Sequence, residues 1–179
     1  MPMPQLRRYG VRQIEEIKHR KLFFDTNALL IIYGNARSHH PRSAHYAKML
    51  AKLLAYRMTF HVNEIVLSEF YYASLKHERE ASNSQFVKDF RNSEAGIRSR
   101  EKIFAGIADM LRQFTFVPYN LTPDDIAGLL KIDSLDFNDK LIVETCRKNN
   151  FVLVTDDADF KDAPVDILSV NHALIDGNR

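Results

Sequence analysis

Four carboxylates lie at positions where the surrounding sequence is apolar. Asp25 directly follows a short apolar segment, and Glu69 lies on the apolar face of a predicted helix. Asp139 lies in the first turn of another predicted helix, and Asp157 follows the apolar segment 151–155. Because like charges repel when they are held close together, carboxylates that meet at one place need a cation. Oxygen ligands without Cys or His favour hard ions, Mg²⁺ or Mn²⁺, which activate water and stabilise a phosphodiester under attack.

Each of these acids also has a simpler structural role. Asp25 would cap the helix that follows it, and Asp139 would close a capping box with Asp136. Asp157 would belong to an Asp-rich turn. Glu69 would form an ion pair with a Lys or Arg, because an unpaired carboxylate on an apolar face is costly. Each role is adequate alone, but three of the four acids fall at the same edge of the predicted sheet, which favours a shared site.

Short apolar segments alternate with helical segments along the chain. Continuous apolar runs predict strands at residues 22–24, 59–62, 114–118, 151–155 and 165–170. Helices are predicted at residues 11–18, 27–33, 43–58, 63–77 and 136–148, with Ser43 and Asn63 as caps, two more between 82 and 112 that break near 93–96, and one that starts at 122–125. Strands without polar alternation are typical of a parallel sheet covered on both faces. The predicted fold class is α/β, a three-layer α/β/α sandwich with a central parallel sheet, whose ligands gather beyond the carboxyl ends of the strands.

The composition fits one globular domain. The chain has 179 residues, of which 45% are hydrophobic and 27% charged, and these values exclude a disordered, collagen-like or coiled-coil chain. Residues 1–20 are predicted to form an N-terminal arm, and residues 21–179 the α/β domain. The single cysteine, Cys146, excludes an internal disulfide, and no apolar segment is long enough for a signal peptide or a membrane span. A cytoplasmic protein is therefore predicted.

The charge is distributed unevenly. The net charge is +8 over residues 1–60, 0 over residues 61–119 and −6 over residues 120–179. A basic segment indicates a polyanion as partner, and a cluster of carboxylates indicates a cation. The simpler explanation is that both ends are solvated surfaces that pair with one another.

Four motifs in order resemble the PIN-domain family. They are FFDTN (residues 23–27), SEF around Glu69, DFNDKLIVETC (residues 136–146) and VLVTDDADF (residues 152–160). Within that family the chain is most similar to the VapC-type toxin ribonucleases, and the resemblance covers about residues 20–170. Each motif is weak alone, but the four occur in the right order and on the right elements.

The resemblance implies a PIN-like nuclease domain that cleaves RNA with Mg²⁺ or Mn²⁺. The implied catalytic and metal-binding residues are Asp25, Glu69, Asp139 and Asp157. The implied supporting residues are Thr26, Asn27, Asp136, Thr155 and Asp159. The implied partners are RNA, an antitoxin-type inhibitor protein and a second copy of the chain in a homodimer. The basic first third is then expected to guide RNA to the acids, through Arg7, Arg8, Arg12, Lys18, Arg20, Lys21, Arg37, Arg42 and Lys48.

Two other functions agree with parts of the sequence. One is an inactive PIN fold that binds RNA or a protein without cleavage, although all four acids are present. The other is a phosphatase similar to the haloacid dehalogenases, but that chemistry usually needs a second Asp two residues after the first, where this chain has Asn27. The arm before Leu22, the helical stretch 78–112 and the extra acid Asp136 depart from a minimal toxin, and a housekeeping nuclease would also fit them.

Overall fold

The computed structural model describes residues 6–34 and 40–175. Its strands are β1 (Arg8–Tyr9), β2 (Leu22–Phe24), β3 (Phe60–Val62), β4 (Thr115–Phe116), β5 (Val152–Val154) and β6 (Ile167–Leu168). Its α-helices are α1 (Thr26–Tyr33), α2 (Ser43–Ala55), α3 (Glu64–Ala81), α4 (Val87–Asn92), α5 (Glu94–Gln113), α6 (Pro123–Leu129), α7 (Phe137–Asn149) and α8 (His172–Ile175). Within the described ranges, 3-10 helices cover Val11–Ile17 and Ala158–Asp162. Arg37, one of the basic residues named above, lies outside the described residues.

The strands form one sheet in which every described pair is parallel. The strand order is β1-β6-β5-β2-β3-β4, so β2 and β5 lie at its centre. All residues of β2, β3 and β5 are buried, as expected for strands covered by helices on both faces. Leu22 lies opposite Phe60 on one side and Val152 on the other. The predicted α/β sandwich with a parallel sheet is confirmed.

Three aromatic side chains fix the central strand. The ring of Phe24 packs 5.2 Å from that of Phe60 and 5.1 Å from that of Phe114, measured between centroids. Phe24 is fully buried. Because Asp25 directly follows Phe24, this packing fixes the position of Asp25 at the end of β2.

The helix starts follow local capping rules. Asn63 accepts a hydrogen bond from the backbone N–H of Val66, and Ser93 separates α4 from α5 at the predicted break. Three expectations about helix ends were wrong, one of them the predicted end of α2 at residue 58, since the helix ends at Ala55. Ser43 is the first residue of α2, whose cap position holds Arg42, with no side-chain capping bond. Helix α3 continues to Ala81, beyond the predicted end near residue 77.

The segment before β2 packs against the rest of the chain. Strand β1 pairs with β6, and the predicted short helix is the 3-10 helix Val11–Ile17, whose Ile14 and Ile17 are buried. The division between an arm at residues 1–20 and a domain at residues 21–179 stays a prediction. In the described ranges, no helix is long and apolar enough to cross a membrane.

Candidate active site

An acidic cleft of about 300 Å³ opens at the carboxyl ends of β2 and β5. This is the edge of a parallel sheet where ligands generally bind. Six carboxylates line it: Asp25, Glu69, Asp136, Asp139, Asp157 and Asp159. Thr26, Asn27 and Ser134 also line it, and among the described residues it has no Lys, Arg or His. The structure thus brings all four predicted acids around one cleft.

Asp25 is the most deeply buried of these acids. It is 2% exposed, and its Oδ2 accepts hydrogen bonds from Thr155 Oγ1 at 2.8 Å and from the backbone N–H of Asn27 at 3.3 Å. The second bond is the predicted helix cap of α1. Burial raises the pKa of Asp25 to about 6, despite these hydrogen bonds, and the nearby Glu69 charge adds to the rise.

Glu69 is held by neutral donors. Its Oε2 accepts from Thr26 Oγ1 at 2.7 Å, and its Oε1 accepts from Asn138 Nδ2 at 2.7 Å. Within the described part of the chain, no Lys or Arg forms an ion pair with this carboxylate. Helix α3 therefore presents a half-buried acid whose orientation is fixed but whose charge is not neutralised.

Asp139 and Asp136 form the predicted capping box. The N–H of Asp139 donates to Asp136 Oδ1 at 2.9 Å, and the N–H of Asp136 donates to Asp139 Oδ2 at 3.4 Å. Burial and then the charges of Asp136, Asp25 and Asp157 raise the pKa of Asp139 to about 7. Asp136 and Asp139 can therefore cap α7 and line the cleft at the same time, because capping uses only some of the acceptor sites of each carboxylate.

Asp157 is connected to Asp25 through Thr155. The hydroxyl of Thr155 donates to Asp25 and accepts from the backbone N–H of Asp157 at 3.0 Å. Asn27 Nδ2 donates to Asp157 Oδ2 at 2.8 Å, while Asp157 Oδ1 accepts from the N–H of Asp159 at 2.9 Å. The predicted supporting residues Asn27 and Thr155 thus hold two of the four acids relative to each other.

Three residues near the cleft were not predicted. Asn138 binds Glu69, Ser134 lines the cleft, and the buried Lys140 fastens the chain before α7. Asn138 lies between the predicted acids Asp136 and Asp139, and this position is the only feature of the sequence that indicates a role in the cleft. Its partner is 69 residues away in the chain, so local patterns do not reveal the contact.

The chemistry of the cleft fits a hard divalent cation. The charged side chains that line it among residues 6–34 and 40–175 are all carboxylates, whose oxygens are the preferred ligands of Mg²⁺ and Mn²⁺. Burial is the largest cause of the raised pKa values of Asp25 and Asp139, and the neighbouring carboxylates add to both. Across residues 6–34 and 40–175, however, no three His, Cys, Asp or Glu side chains are grouped closely enough to hold an ion. A bound cation would have to draw the carboxylates together.

The fold and the cleft together define an α/β protein with an acidic site at the carboxyl ends of its two central strands, β2 and β5. The PIN domain family matches residues 22–166, and the chain belongs to that family. No curated protein matches the sequence. Among solved structures, the fold is similar to a chain in the crystal structure of VapBC2 from Rickettsia felis bound to a DNA fragment from their promoter. That match has a TM-score of 0.51 and 22% identity, and it covers 83% of this chain and 97% of the other.

Proposed function

We propose that the protein is a metal-dependent endoribonuclease similar to the VapC toxins. The observation that carries this proposal is the set of six carboxylates around a cleft that has no described cationic side chain. Membership of the PIN family supports it, because PIN domains are generally nucleases. The same membership leaves the alternative of a phosphatase similar to the haloacid dehalogenases without support.

The residues of the chain have separate tasks in this proposal. Asp25, Glu69, Asp139 and Asp157 hold the cation, and Asp159 and Asp136 add negative charge beside it. Thr155 and Asn27 orient Asp25 and Asp157, and Thr26 orients Glu69. A bound Mg²⁺ or Mn²⁺ supplies positive charge for the scissile phosphate and lowers the pKa of a coordinated water.

Metal removal is the first test. We expect the purified protein to cleave single-stranded RNA with Mg²⁺ or Mn²⁺ and to lose cleavage in EDTA, with full recovery when the metal is restored. The reason is that the acids repel one another and an RNA phosphate unless a cation lies between them. The measurement is the initial rate on end-labelled RNA. Binding of RNA without cleavage under any of these conditions would instead support the inactive binding module.

An antitoxin-type inhibitor belongs to the proposal. The similar fold occurs in the VapBC2 complex, and a free ribonuclease in the cytoplasm would need restraint. A homodimer remains a further prediction. Neither partner is needed for the metal test, provided that the purified chain is free of co-purified protein.

Asn138 provides a second prediction about the same site. Replacing Asn138 by Ala removes the donor to Glu69 Oε1 and should weaken Mn²⁺ binding about 10-fold or more, as is typical when a group that orients a metal ligand is lost. Titration calorimetry with Mn²⁺ measures this. Asn149→Ala is a matched control, because Asn149 lies on the same helix and donates to the backbone O of Thr145 instead. Equal Mn²⁺ affinity of the two variants would contradict the role assigned to Asn138.

A further inference from the structure

A second cavity, of about 870 Å³, lies beyond the carboxyl ends of the edge strand β1 and its neighbour β6. We call it the basic cavity, since six of its lining residues are cationic or imidazole side chains: Arg8, Arg12, His45, Lys48, Lys52 and His172. No Asp or Glu lines it in the described part of the chain. Its charge is therefore opposite to that of the acidic cleft.

Two of these cations are already engaged by the fold. The guanidinium of Arg8 donates to the backbone oxygens of Lys161, Ala163 and Val165 at 2.6 to 2.8 Å. The ammonium of Lys52 donates to the backbone oxygen of Val11 at 3.1 Å. They shape the wall of the cavity and add positive charge to it.

Arg12 and Lys48 remain available to a ligand. Both are exposed, and among residues 6–34 and 40–175 neither lies within ion-pair distance of a carboxylate. Arg12 lies on the 3-10 helix and Lys48 on α2, so the two charges enter the cavity from different elements. His45, three residues before Lys48, lies on the same face of α2. Such an arrangement suits an extended polyanion.

One short turn, residues 155–157, connects Asp157 in the wall of the acidic cleft with Ser169 in the wall of the basic cavity. The backbone oxygen of Thr155 accepts hydrogen bonds from Tyr46 of α2 at 3.0 Å and from Ser169 at 2.7 Å. The side chain of Thr155 holds Asp25 and Asp157 on the other side. Asn171 Nδ2 donates to the backbone oxygen of Asp156 at 2.7 Å and closes the turn. The walls of the acidic cleft and the basic cavity are therefore joined through the hydrogen bond between Ser169 and Thr155.

We propose that the basic cavity binds the phosphodiester backbone of the RNA substrate outside the scissile phosphate. This inference rests on the proposed ribonuclease function for the identity of the polyanion. It narrows the expected RNA-guiding role of the basic first third to Arg12 and Lys48. Several other residues of that set are engaged elsewhere: Arg7 with Glu16, Lys18 with Glu15, Arg20 with Asp166, and Arg42 with Asp156.

The test measures RNA affinity at several salt concentrations. Single-stranded RNA is titrated with the Asp25→Asn protein, whose cleavage is expected to be at least about 10²-fold slower, between about 50 and 200 mM salt. Adding Arg12→Ala and Lys48→Ala should weaken binding and reduce the slope of log affinity against log salt by about 1.4, the value for two lost contacts to a single strand. Restoring charge with Arg12→Lys and Lys48→Arg should recover the slope.

The control is a double variant of two other exposed lysines, Lys76→Ala and Lys88→Ala, on α3 and α4. If the Arg12→Ala/Lys48→Ala and Lys76→Ala/Lys88→Ala variants bind RNA with the same affinity and the same salt slope, the basic cavity does not bind RNA and the proposal is wrong. This holds equally if the cavity is empty or binds an acidic protein. A wild-type protein that cleaves RNA with metal would leave the ribonuclease proposal standing in that case. A wild-type protein that neither binds nor cleaves RNA overturns both.

Discussion

Replacing Asp25 by Asn should reduce RNA cleavage by about 10²–10³-fold or more, the loss typical for removing one electrostatic group from an active site. Asn keeps the shape of the side chain and its Oδ1 can accept the bonds from Thr155 and from the N–H of Asn27. The substitution removes the charge that would hold the cation and replaces one of the two acceptor oxygens by an NH2 group. The initial rate on labelled RNA measures the loss.

The same substitution should not destabilise the metal-free protein at neutral pH. The pKa of Asp25 rises from 3.8 to about 6 because burial disfavours the charged form. Between these values the folded protein holds a proton that the unfolded chain releases, so the contribution of Asp25 to stability falls as pH rises through about 6. Asn does not titrate, so the Asp25→Asn variant does not lose this stability as the pH rises. Urea unfolding should show Asp25→Asn to be more stable than wild type at pH 8, by up to about 3 kcal/mol, and similar to it near pH 4.

Asp124→Asn is the matched control for both measurements, because Asp124 is an exposed acid on α6 outside the cleft. It should leave cleavage unchanged. Cleavage by Asp25→Asn at the wild-type rate would remove Asp25 from the catalytic set. Loss of cleavage together with a large loss of stability would show that Asp25 serves the fold instead.

The positions of the acids were predictable because local rules place them. Apolar runs end at Asp25 and before Asp157, and the carboxyl ends of parallel strands meet at one edge of a sheet. The capping signal at Asp136 fixed the start of α7 and with it the place of Asp139. These inferences need only the pattern around each residue.

The contacts that orient the acids were not predictable in the same way. Asn27 is 130 residues from its partner Asp157, and Thr26 is 43 residues from Glu69. One sequence shows which residues are polar but not which of them meet. The edge strand Arg8–Tyr9 was missed for a related reason, since two residues are too few to show a strand period and its pairing partner is near residue 167.

Lys140 is the strongest case of a residue that acts on the cleft from outside it. It is 9% exposed, and its ammonium donates to the backbone oxygens of Leu129 and Lys131 and pairs with Asp133 at 3.2 Å. These contacts fasten the segment between α6 and α7. That segment ends at Asp136, which lines the cleft. A buried ammonium with three donors thus positions one wall of the site.

Replacing Lys140 by Met keeps the length of the side chain but removes the three donors, so the segment should shift relative to α7. A displacement of about 1 Å near a reacting group can cost about 10²-fold in rate, and we expect a loss of about 10- to 100-fold in RNA cleavage. The control is Lys148→Met. Lys148 lies on α7 like Lys140, and its ion pair with Asp125 of α6 lies outside the cleft. Thermal melting separates the two effects. A rate loss confined to Lys140→Met, at equal melting temperatures, assigns Lys140 a positioning role. Equal cleavage rates of the two variants would show that Lys140 stabilises the segment between α6 and α7 but does not position the wall of the cleft.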